Sequence, residues 1–488
     1  MAIKINRKEV YFKPDFTRVL ARFFTLGDER NAKIIKRVLN LSALEKKQML
    51  NQVLRSYALR HRSIVDVFEK NAKRVKDLIE AQGVAWEKLK EEDKLLIGSY
   101  FTMEYSIESA AFFNPSIVED VDQSRLEKGE KRVILSFRAT GEGHVSSLVF
   151  RAAVIDENLN MRLEEEGDKL EKPSRMKSHR YHKTTFMNKL NDLHEVPENL
   201  LQIIDQKLPE SFLFEEIRRF SDEIIRDNSL NQEELLIISQ MLWIASSHYE
   251  ISFSYDTAIS ERVIFPLADT EKRGIEDARF VRFIQTNGDA IYYASYTAYD
   301  GFSILPKLLT TTDFIHFKTL PLHGSIANKG AALFPRKING KFAMLCRVDG
   351  ENNFIAFSDT VNIWRDEVIL LKEPQHPWEF VQLGNCGSPI ETEFGWLVIT
   401  HAVGPMREYV ISASLLDLND PTKVIGRLKE PLIRPNDMER EGYVPNVVYS
   451  CGSIVHNGHL IIPYAMSDYA STYATVDLKE LLDVLTNE

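Results

Sequence analysis

Two acids stand side by side between two arginines in the stretch RGIEDARF, residues 273–280. Glu276 and Asp277 precede an apolar run that is typical of a β-strand, and Arg273 and Arg279 flank them. Adjacent acids on a solvated loop would need no special explanation. Acids at the mouth of a strand, held by arginines, are candidates for catalysis, because neighbouring charges control their protonation.

The composition narrows the class of protein. The 488 residues carry a net charge of −10 with 44% hydrophobic residues, which is typical of a globular protein and argues against a nucleic-acid-binding face. The start, MAIKINRKEVYF, has no apolar signal segment, and no apolar run is long enough for a bilayer. Three scattered cysteines do not form a disulfide framework. We therefore expect a soluble cytoplasmic protein with no membrane or nucleic-acid partner.

Two stretches have a helical pattern. Residues 1–100 are predicted to form an N-terminal helical region, with a capping box at Ser42 and Glu45 and a second cap at Ser63. Residues 185–247 are predicted to form a helical insertion. One N-terminal helical face is apolar and must be buried on the rest of the chain or on a second copy, so a homo-oligomer is expected. The residues of this apolar stripe are Ile64, Val67, Phe68, Val75, Leu78 and Ile79.

The remaining chain, residues 101–184 and 248–488, has a repeated β pattern. Five segments share a layout of polar motif, strand, glycine turn, strand and polar motif. Asn-Gly pairs, the strongest short-range hairpin signal, occupy three of the turns (at Gly288, Gly340 and Gly458). Repetition at this period predicts a mainly β, five-bladed propeller, with residues 101–184 as the first blade and 248–488 as the other blades.

The two ends of a hairpin lie at the same end of a sheet, opposite the turn. The residues that open each first strand and close each second strand should therefore meet at one mouth of the propeller. These positions are Asn114 with Arg138, Asp277 and Arg279 with Tyr296, Lys329 with Arg347, Ser388 with His401, and Asn446 with Asp468. Planar amides, carboxylates and guanidinium groups suit hydroxyl-rich ligands, and Arg and Lys suit anions, so the set predicts a sugar or phosphate site.

At these residues the chain resembles glycoside hydrolase family 130, the β-mannoside phosphorylases and their hydrolase relatives. The matching stretches, in the order of the family, are FNPSI, LSFRA, GIEDAR, YTAYD, ALFPRKINGK, SPIETEFGWLVITHAV, SLLDLNDPTKVIGR and GYVPNVVYSCG. The resemblance implies a five-bladed propeller in which Asp277 is the general acid, acting through a hydroxyl of the bound mannose. Phosphate then attacks the anomeric carbon from the opposite face and yields mannose 1-phosphate with inversion.

The resemblance, together with the residue types predicted at the mouth of the propeller, implies a role for each of these residues. The predicted sugar contacts are Asn114, Arg138, Arg279, Tyr296 and Asp468, and the predicted phosphate contacts are Lys329, Arg347 and His401, with Arg407 as a further candidate. The expected ligands are a β-mannoside oligosaccharide and inorganic phosphate. No HExxH, paired CxxC or glycine-rich phosphate loop is present in the sequence, so neither a metal nor another cofactor is expected.

Alternatives remain open at the level of the sequence. Ala278 replaces the family's usual proline, and THAV lacks the tyrosine common before its histidine, so an inverting β-mannosidase stays possible. An inverting hydrolase would need a second carboxylate to activate water. Asp277 paired with Arg279 could also be purely structural, as could Glu276, in a non-catalytic carbohydrate-binding propeller.

Overall fold

Five antiparallel β units supply most strands of the protein, whose computed structural model describes residues 3–178, 180–191, 196–226, 230–326 and 328–487. The main strands of each unit pair antiparallel with other strands of the same unit. The main strands are Ala111–Glu119, Lys131–Thr140, Ser146–Ile155 and Met161–Leu163 in the first unit; Gly274–Ile284, Ala290–Tyr299, Ile304–Thr311 and His316–Pro321 in the second; Ala332–Leu333, Phe342–Cys346, Asn353–Ser358 and Ile369–Lys372 in the third; Gln382–Asn385, Ile390–Thr392, Gly395–Val403, Tyr409–Leu416 and Val424–Arg427 in the fourth; and Val448–Tyr449, Ile454–His456, His459–Met466 and Ala470–Asp477 in the fifth. The protein is therefore mainly β, as predicted.

The Asn-Gly pairs form tight hairpin turns. Asn339 and Gly340 have φ angles of 50° and 84°, and Asn457 and Gly458 have φ angles of 46° and 73°. Asparagine and glycine tolerate this left-handed backbone better than other residues, which is why the dipeptide specifies such a turn. The hairpins predicted at these two pairs are confirmed.

The polar loops lie at the opposite end of each unit from these turns. In every unit, the strand that leaves the hairpin turn ends in a loop that leads to the next strand, and this loop lies at the opposite end of the strand from the turn. The five loops are residues 141–145, 300–303, 347–352, 404–408 and 467–469. Because the first strand of each unit begins at that same end, the Asp277 motif lies beside these loops.

The extreme N-terminus departs from the helical prediction. Strand Ile5–Arg7 pairs antiparallel with Ala470–Asp477 and adds a strand to the fifth unit. Strand Asp15–Phe23 pairs with Thr102–Glu108. Helices occupy only the later part of the predicted region. Strand Ile5–Arg7 was not predicted because its partner strand lies almost a whole chain away, so the residues around it carry no local signal of the pairing.

The N-terminal helices form a small apolar core of their own. Their bounds are Asp28–Leu39, Ala43–Tyr57, Ile64–Arg74, Lys76–Glu80 and Glu91–Tyr100. The capping box of Ser42 and Glu45 is confirmed, with Ser42 N donating to Glu45 Oε2 at 2.7 Å. Ser63 occupies the predicted N-cap position of helix Ile64–Arg74, but it has a left-handed φ of 48° and its side chain makes no capping hydrogen bond.

The apolar stripe of residues 64–79 is buried within the same chain. Ile64, Phe68, Val75 and Ile79 are buried in a cluster with residues of the other N-terminal helices, among them Ile35. The stripe therefore requires no second subunit. The homo-oligomer stays a prediction, but the apolar stripe no longer supports it.

A second helical region lies between the first and second units. Its helices are Lys183–Asn191, Glu198–Lys207, Phe214–Arg226 and Gln232–Ser246, and a further helix, Leu478–Asn487, ends the chain. The shorter strands of the protein are Ser174–Ser178, Arg180–His182, Ser211–Leu213, Tyr249–Ser252, Val263–Ile264, His323–Gly324 and Ile363–Trp364. The inserted helices share one apolar cluster, and strand Tyr249–Ser252 joins them to the edge of the second unit by pairing with His316–Pro321. Within the described ranges, every helix is too short or too polar to cross a membrane.

Candidate active site

A polar pocket of about 230 Å³ lies at the loop end of the five units. All five units contribute to its wall. The lining residues are Asn114, Arg138, Asp277, Lys329, Gly330, Arg347, Gln382, Gly384, His401, Arg407, Tyr409, Val444, Val447, Tyr449 and Asp468. The structure thus brings together most of the residues that the hairpin argument placed at one mouth.

Two β-bulges aim the central side chains into this pocket. Asn114 and Asp277 have left-handed φ angles of 50° and 54°, and the strand register shifts at both positions. Asparagine and aspartate tolerate this backbone because their short polar side chains form local hydrogen bonds. Pro115, which cannot donate to the strand ladder, suits the first bulge. The bulges turn the two side chains towards each other, and Asn114 Nδ2 donates to Asp277 Oδ1 at 2.7 Å.

The surroundings of Asp277 favour its ionised form. Burial acts to raise the pKa of this carboxyl, but the charges of Arg138 and Arg279 and the hydrogen bond from Asn114 outweigh burial and hold the pKa below its ordinary value. Arg138 Nη1 lies 3.4 Å from Asp277 Oδ1. The group is therefore a carboxylate in the ligand-free protein at neutral pH.

Glu276 joins two of the pocket's cations. Its Oε1 accepts from Arg138 Nη2 at 2.7 Å, and its Oε2 accepts from Lys329 Nζ at 2.7 Å. The Glu276 side chain is buried under the pocket wall, while 38% of the Lys329 side chain is exposed. The acid next to Asp277 thus faces the cations and does not line the pocket itself.

Arg347 and His401 also line the pocket. Burial lowers the pKa of Arg347, and the Arg279 charge adds to this effect. Its buried Nε has no hydrogen-bond partner among the described residues. Burial, together with the charges of Arg347 and Arg279, lowers the pKa of His401 well below its usual range, so this imidazole is neutral at pH 7. A cation with an unpaired buried donor is a natural contact for an anion.

The loop residue Asp468 is the second carboxylate of the pocket wall. It has a left-handed φ of 51°. Burial and the nearby Asp277 charge raise the pKa of Asp468 to about 6, although Arg138 and Arg407 oppose this rise. The pKa values of the two pocket carboxylates are therefore shifted in opposite directions, and Asp468 holds a proton more easily than Asp277 does.

Two predicted sugar contacts lie outside the pocket wall. Arg279 is buried behind it, where Nη1 donates to the carbonyl oxygen of Asp277 at 2.9 Å and Nη2 donates to the Tyr449 hydroxyl at 2.5 Å. Tyr296 is buried on another side of the second unit, and its hydroxyl donates to Glu271 Oε1 at 2.9 Å. Neighbouring residues of a strand point to opposite faces, so a position at the mouth end does not by itself place a side chain in the pocket.

Sequence reasoning missed three polar lining residues. Tyr409 and Tyr449 pack beside His401, with ring centroids 6.0 Å and 4.7 Å from the imidazole, and Gln382 lines the same side. Gly384 leaves room for this arrangement, because a methyl group there would overlap the His401 ring. Tyr449 lies within the matched stretch GYVPNVVYSCG, and this was the available signal.

The chain is similar in sequence to known mannoside phosphorylases, whose substrates are of the kind that the polar pocket suits. Residues 240–487 match the family described as beta-1,4-mannooligosaccharide phosphorylase, a range that covers the second to fifth units. The chain is 39% identical over 219 residues to a 1,2-beta-oligomannan phosphorylase of Thermoanaerobacter sp. (strain X514), covering 44% of this chain and 71% of that protein. It is 33% identical over 234 residues to a beta-1,2-mannobiose phosphorylase of Listeria innocua, covering 46% and 64%.

Among solved structures, a beta-1,2-mannobiose phosphorylase from Listeria innocua in complex with beta-1,2-mannobiose is 25% identical, with a TM-score of 0.47. The match covers 79% of this chain and 94% of that one. The sequence matches define an enzyme, a glycoside phosphorylase. The chain belongs to glycoside hydrolase family 130.

Proposed function

We propose that this enzyme cleaves β-mannosides by phosphorolysis, with inversion, to give mannose 1-phosphate and a shortened sugar. The observation that carries the proposal is that a single pocket combines a carboxylate with anion-binding groups. Asp277 lines it together with Arg347, which has an unpartnered buried Nε, and the neutral His401. The relatives named above, which are mannoside phosphorylases, support the same activity.

The residues of the pocket can be assigned to two subsites. The Oδ1 atom of Asn114 has no hydrogen-bond partner among the described residues. It would accept a hydrogen bond from a sugar hydroxyl, and Arg138 and Asp468 line the same subsite. Lys329, Arg347 and His401 would hold phosphate, the cations by charge-assisted bonds and the imidazole by a neutral one. Phosphate is the only co-substrate that this assignment needs.

The reaction then balances with one acid. A phosphate oxygen forms a bond to the anomeric carbon of the mannosyl unit while the glycosidic C–O bond breaks. The leaving oxygen takes a proton that originates on Asp277 and passes through a mannose hydroxyl, as the family resemblance implies. The products are mannose 1-phosphate, inverted at the anomeric carbon, and an acceptor sugar with a free hydroxyl.

The low pKa of Asp277 in the free enzyme gives phosphate a second role. Three cations, Arg138, Arg279 and Lys329, lower this pKa. A bound phosphate dianion adds negative charge beside them and so raises the pKa of Asp277. Proton uptake by the acid is therefore coupled to phosphate binding, so the bound nucleophile favours the protonated form of Asp277.

The arrangement of the units supports a five-bladed propeller as the scaffold. The first and fifth units are in contact, since Cys451 N donates to the Pro115 carbonyl oxygen at 2.8 Å. The N-terminal strand Ile5–Arg7 adds to the fifth unit and ties the two ends of the chain together. In this arrangement regions 1–100 and 185–247 are additions to the blades formed by residues 101–184 and 248–488.

Reverse phosphorolysis tests the proposal. The enzyme is incubated with mannose 1-phosphate and a panel of acceptor sugars, and released phosphate is measured. Phosphate release that depends on an acceptor, with formation of a longer β-mannoside, is the expected result. Phosphate-independent cleavage of β-mannosides would instead identify an inverting hydrolase, and no turnover in either direction would identify a non-catalytic binding protein.

A further inference from the structure

Glu276 is the structural link between the sugar side and the phosphate side of the pocket. One carboxylate oxygen accepts from Arg138 and the other from Lys329, both at 2.7 Å. Arg138 lies on the first unit, and Lys329 precedes the third, so Glu276 on the second unit bridges its two neighbours. Only 8% of its side chain is exposed, and Glu276 is not among the residues that line the pocket.

We propose that Glu276 is a positioning residue that holds Arg138 and Lys329 away from Asp277 and thereby allows Asp277 to be protonated for catalysis. This inference rests on the proposed function. It assigns to the first acid of the motif a role that acts through its neighbours, while the second acid acts on the substrate.

The geometry of Arg138 carries the inference. Its guanidinium group reaches both acids, but Nη2 is 2.7 Å from Glu276 whereas Nη1 is 3.4 Å from Asp277. Nε donates to Ser146 Oγ at 2.9 Å and fixes the third corner of the group. Arg138 therefore makes its short ion pair with the buried acid and only a long contact with the acid in the pocket.

Charges from every side act on Asp277. The cations that face it are Arg138, Arg279, Lys329 and Arg347, and the acids are Glu276 and Asp468, with neutral His401 and Tyr449 nearby. Removing the Glu276 charge leaves this balance more positive and frees Arg138 to pair closely with Asp277. Both effects stabilise the Asp277 carboxylate and oppose its protonation.

The test compares Glu276→Gln with the wild-type enzyme and with Glu276→Asp. Glutamine keeps the size but loses the charge, whereas aspartate keeps the charge. The matched control is Glu391→Gln, which removes another arginine-paired glutamate, bound to Arg336 on the protein surface. Phosphorolysis rates from pH 5 to 9, thermal unfolding, and calorimetric binding of inorganic phosphate are measured for each protein.

For Glu276→Gln we expect turnover to fall while the affinity for phosphate rises. Because activity is lost as pH rises through the pKa of a general acid, the alkaline limb of the kcat profile should move down by about one pH unit or more. At pH 7 kcat should fall at least about tenfold. Phosphate should bind at least about threefold more tightly, because the pocket has lost a negative charge. Glu276→Asp should return the alkaline limb to the wild-type position, and Glu391→Gln should match wild type throughout.

Other outcomes overturn the inference. A Glu276→Gln enzyme with an unmoved alkaline limb, whatever its rate, has only lost structural support. Weaker phosphate binding together with a lower melting temperature leads to the same conclusion. If the wild-type enzyme hydrolyses mannosides without phosphate, the proposed function fails, but the shift of the alkaline limb still tests Glu276. A wild-type protein that neither binds phosphate nor cleaves a mannoside overturns both.

Discussion

Two acids that belong to the second β unit or directly precede it, Asp277 and Glu271, lie at the centres of two charge clusters that differ in how completely they are paired. In the closed cluster, Lys307 Nζ lies 2.5 Å from Glu271 Oε1, and neither side chain has any exposed surface. The hydroxyls of Tyr249 and Tyr296 donate to the same carboxylate at 2.8 and 2.9 Å. In the open cluster around Asp277, the corresponding groups face a pocket, and Asn114 Oδ1 and Arg347 Nε have no hydrogen-bond partners among the described residues.

The difference separates a structural role from a functional one. A buried ion pair whose hydrogen bonds are satisfied holds strands together, and it offers nothing to a ligand. The open cluster combines unpaired polar atoms with left-handed backbone at Asn114, Asp277 and Asp468, which the fold maintains at a cost. Unpaired groups and backbone strain in one pocket are what the proposed substrate site requires, since a bound substrate would supply the missing hydrogen-bond partners.

The largest expected effect is on the open cluster. Asp277→Asn preserves shape but cannot donate a proton, so phosphorolysis should fall by about 10²–10⁴-fold, the usual contribution of a general acid. The melting temperature should stay close to that of wild type. Asp289→Asn, at the exposed turn of the same hairpin, is the matched control. Activity near wild type in a folded Asp277→Asn protein would remove this residue from the mechanism.

The next largest effect is on the closed cluster and on stability. Lys307→Met leaves the Glu271 charge buried without its cation, so the free energy of unfolding should fall by about 3–5 kcal/mol. Chemical unfolding measures this loss, and adding Glu271→Gln should recover part of it. The KM values of the protein that remains folded should not change. A stable variant with an altered KM would show that this cluster takes part in binding.

A smaller effect should appear in substrate affinity. Arg347→Ala removes a charge-assisted contact to phosphate, so the KM for phosphate should rise by about 10–100-fold, and the KM for the glycoside should change much less. Steady-state kinetics with each substrate varied in turn separates the two constants. Arg336→Ala, in the same unit but exposed, serves as the control. A change confined to the glycoside constant would place Arg347 in the sugar subsite.

The smallest expected effect depends on pH. Since burial and Asp277 raise the pKa of Asp468 to about 6, its ionisation in the folded protein opposes folding. This penalty is absent below the unfolded pKa of about 4 and complete above pH 6 or so. Asp468→Asn should therefore stabilise the protein by roughly 1–3 kcal/mol at pH 8 and have no such effect near pH 4. Unfolding experiments at both pH values check the sign, and equal stabilisation at both would contradict it.

The sequence was sufficient for the parts of the site that follow from local rules. Hairpin geometry places strand openings and closings at one end, which is why Asn114, Arg138, Asp277 and Asp468 were found together. Tyr296 belongs to the closed cluster because strand alternation and the bulge at Asp277 decide which face a side chain takes. No periodicity in the sequence records the position of that bulge.

The pairing of strands that lie far apart in the sequence could not be predicted from local patterns, for a different reason. Strand Ile5–Arg7 contributes three residues to the fifth unit, and its partners lie at the other end of the chain. Such a short segment has no distinctive pattern, and its stability comes from the sheet it joins. The same limit applies to Tyr409 and Tyr449, whose place beside His401 is set by packing between two units.

The central claim is that the open cluster transfers a mannosyl unit to phosphate. Phosphorus NMR of the wild-type enzyme with a β-mannobiose panel and inorganic phosphate tests it most directly. Transfer with inversion should give the α anomer of mannose 1-phosphate in equal amount to the released sugar, while inorganic phosphate is consumed. Free mannose released with no loss of phosphate, or a β-configured mannose 1-phosphate, would show that the proposed transfer does not take place.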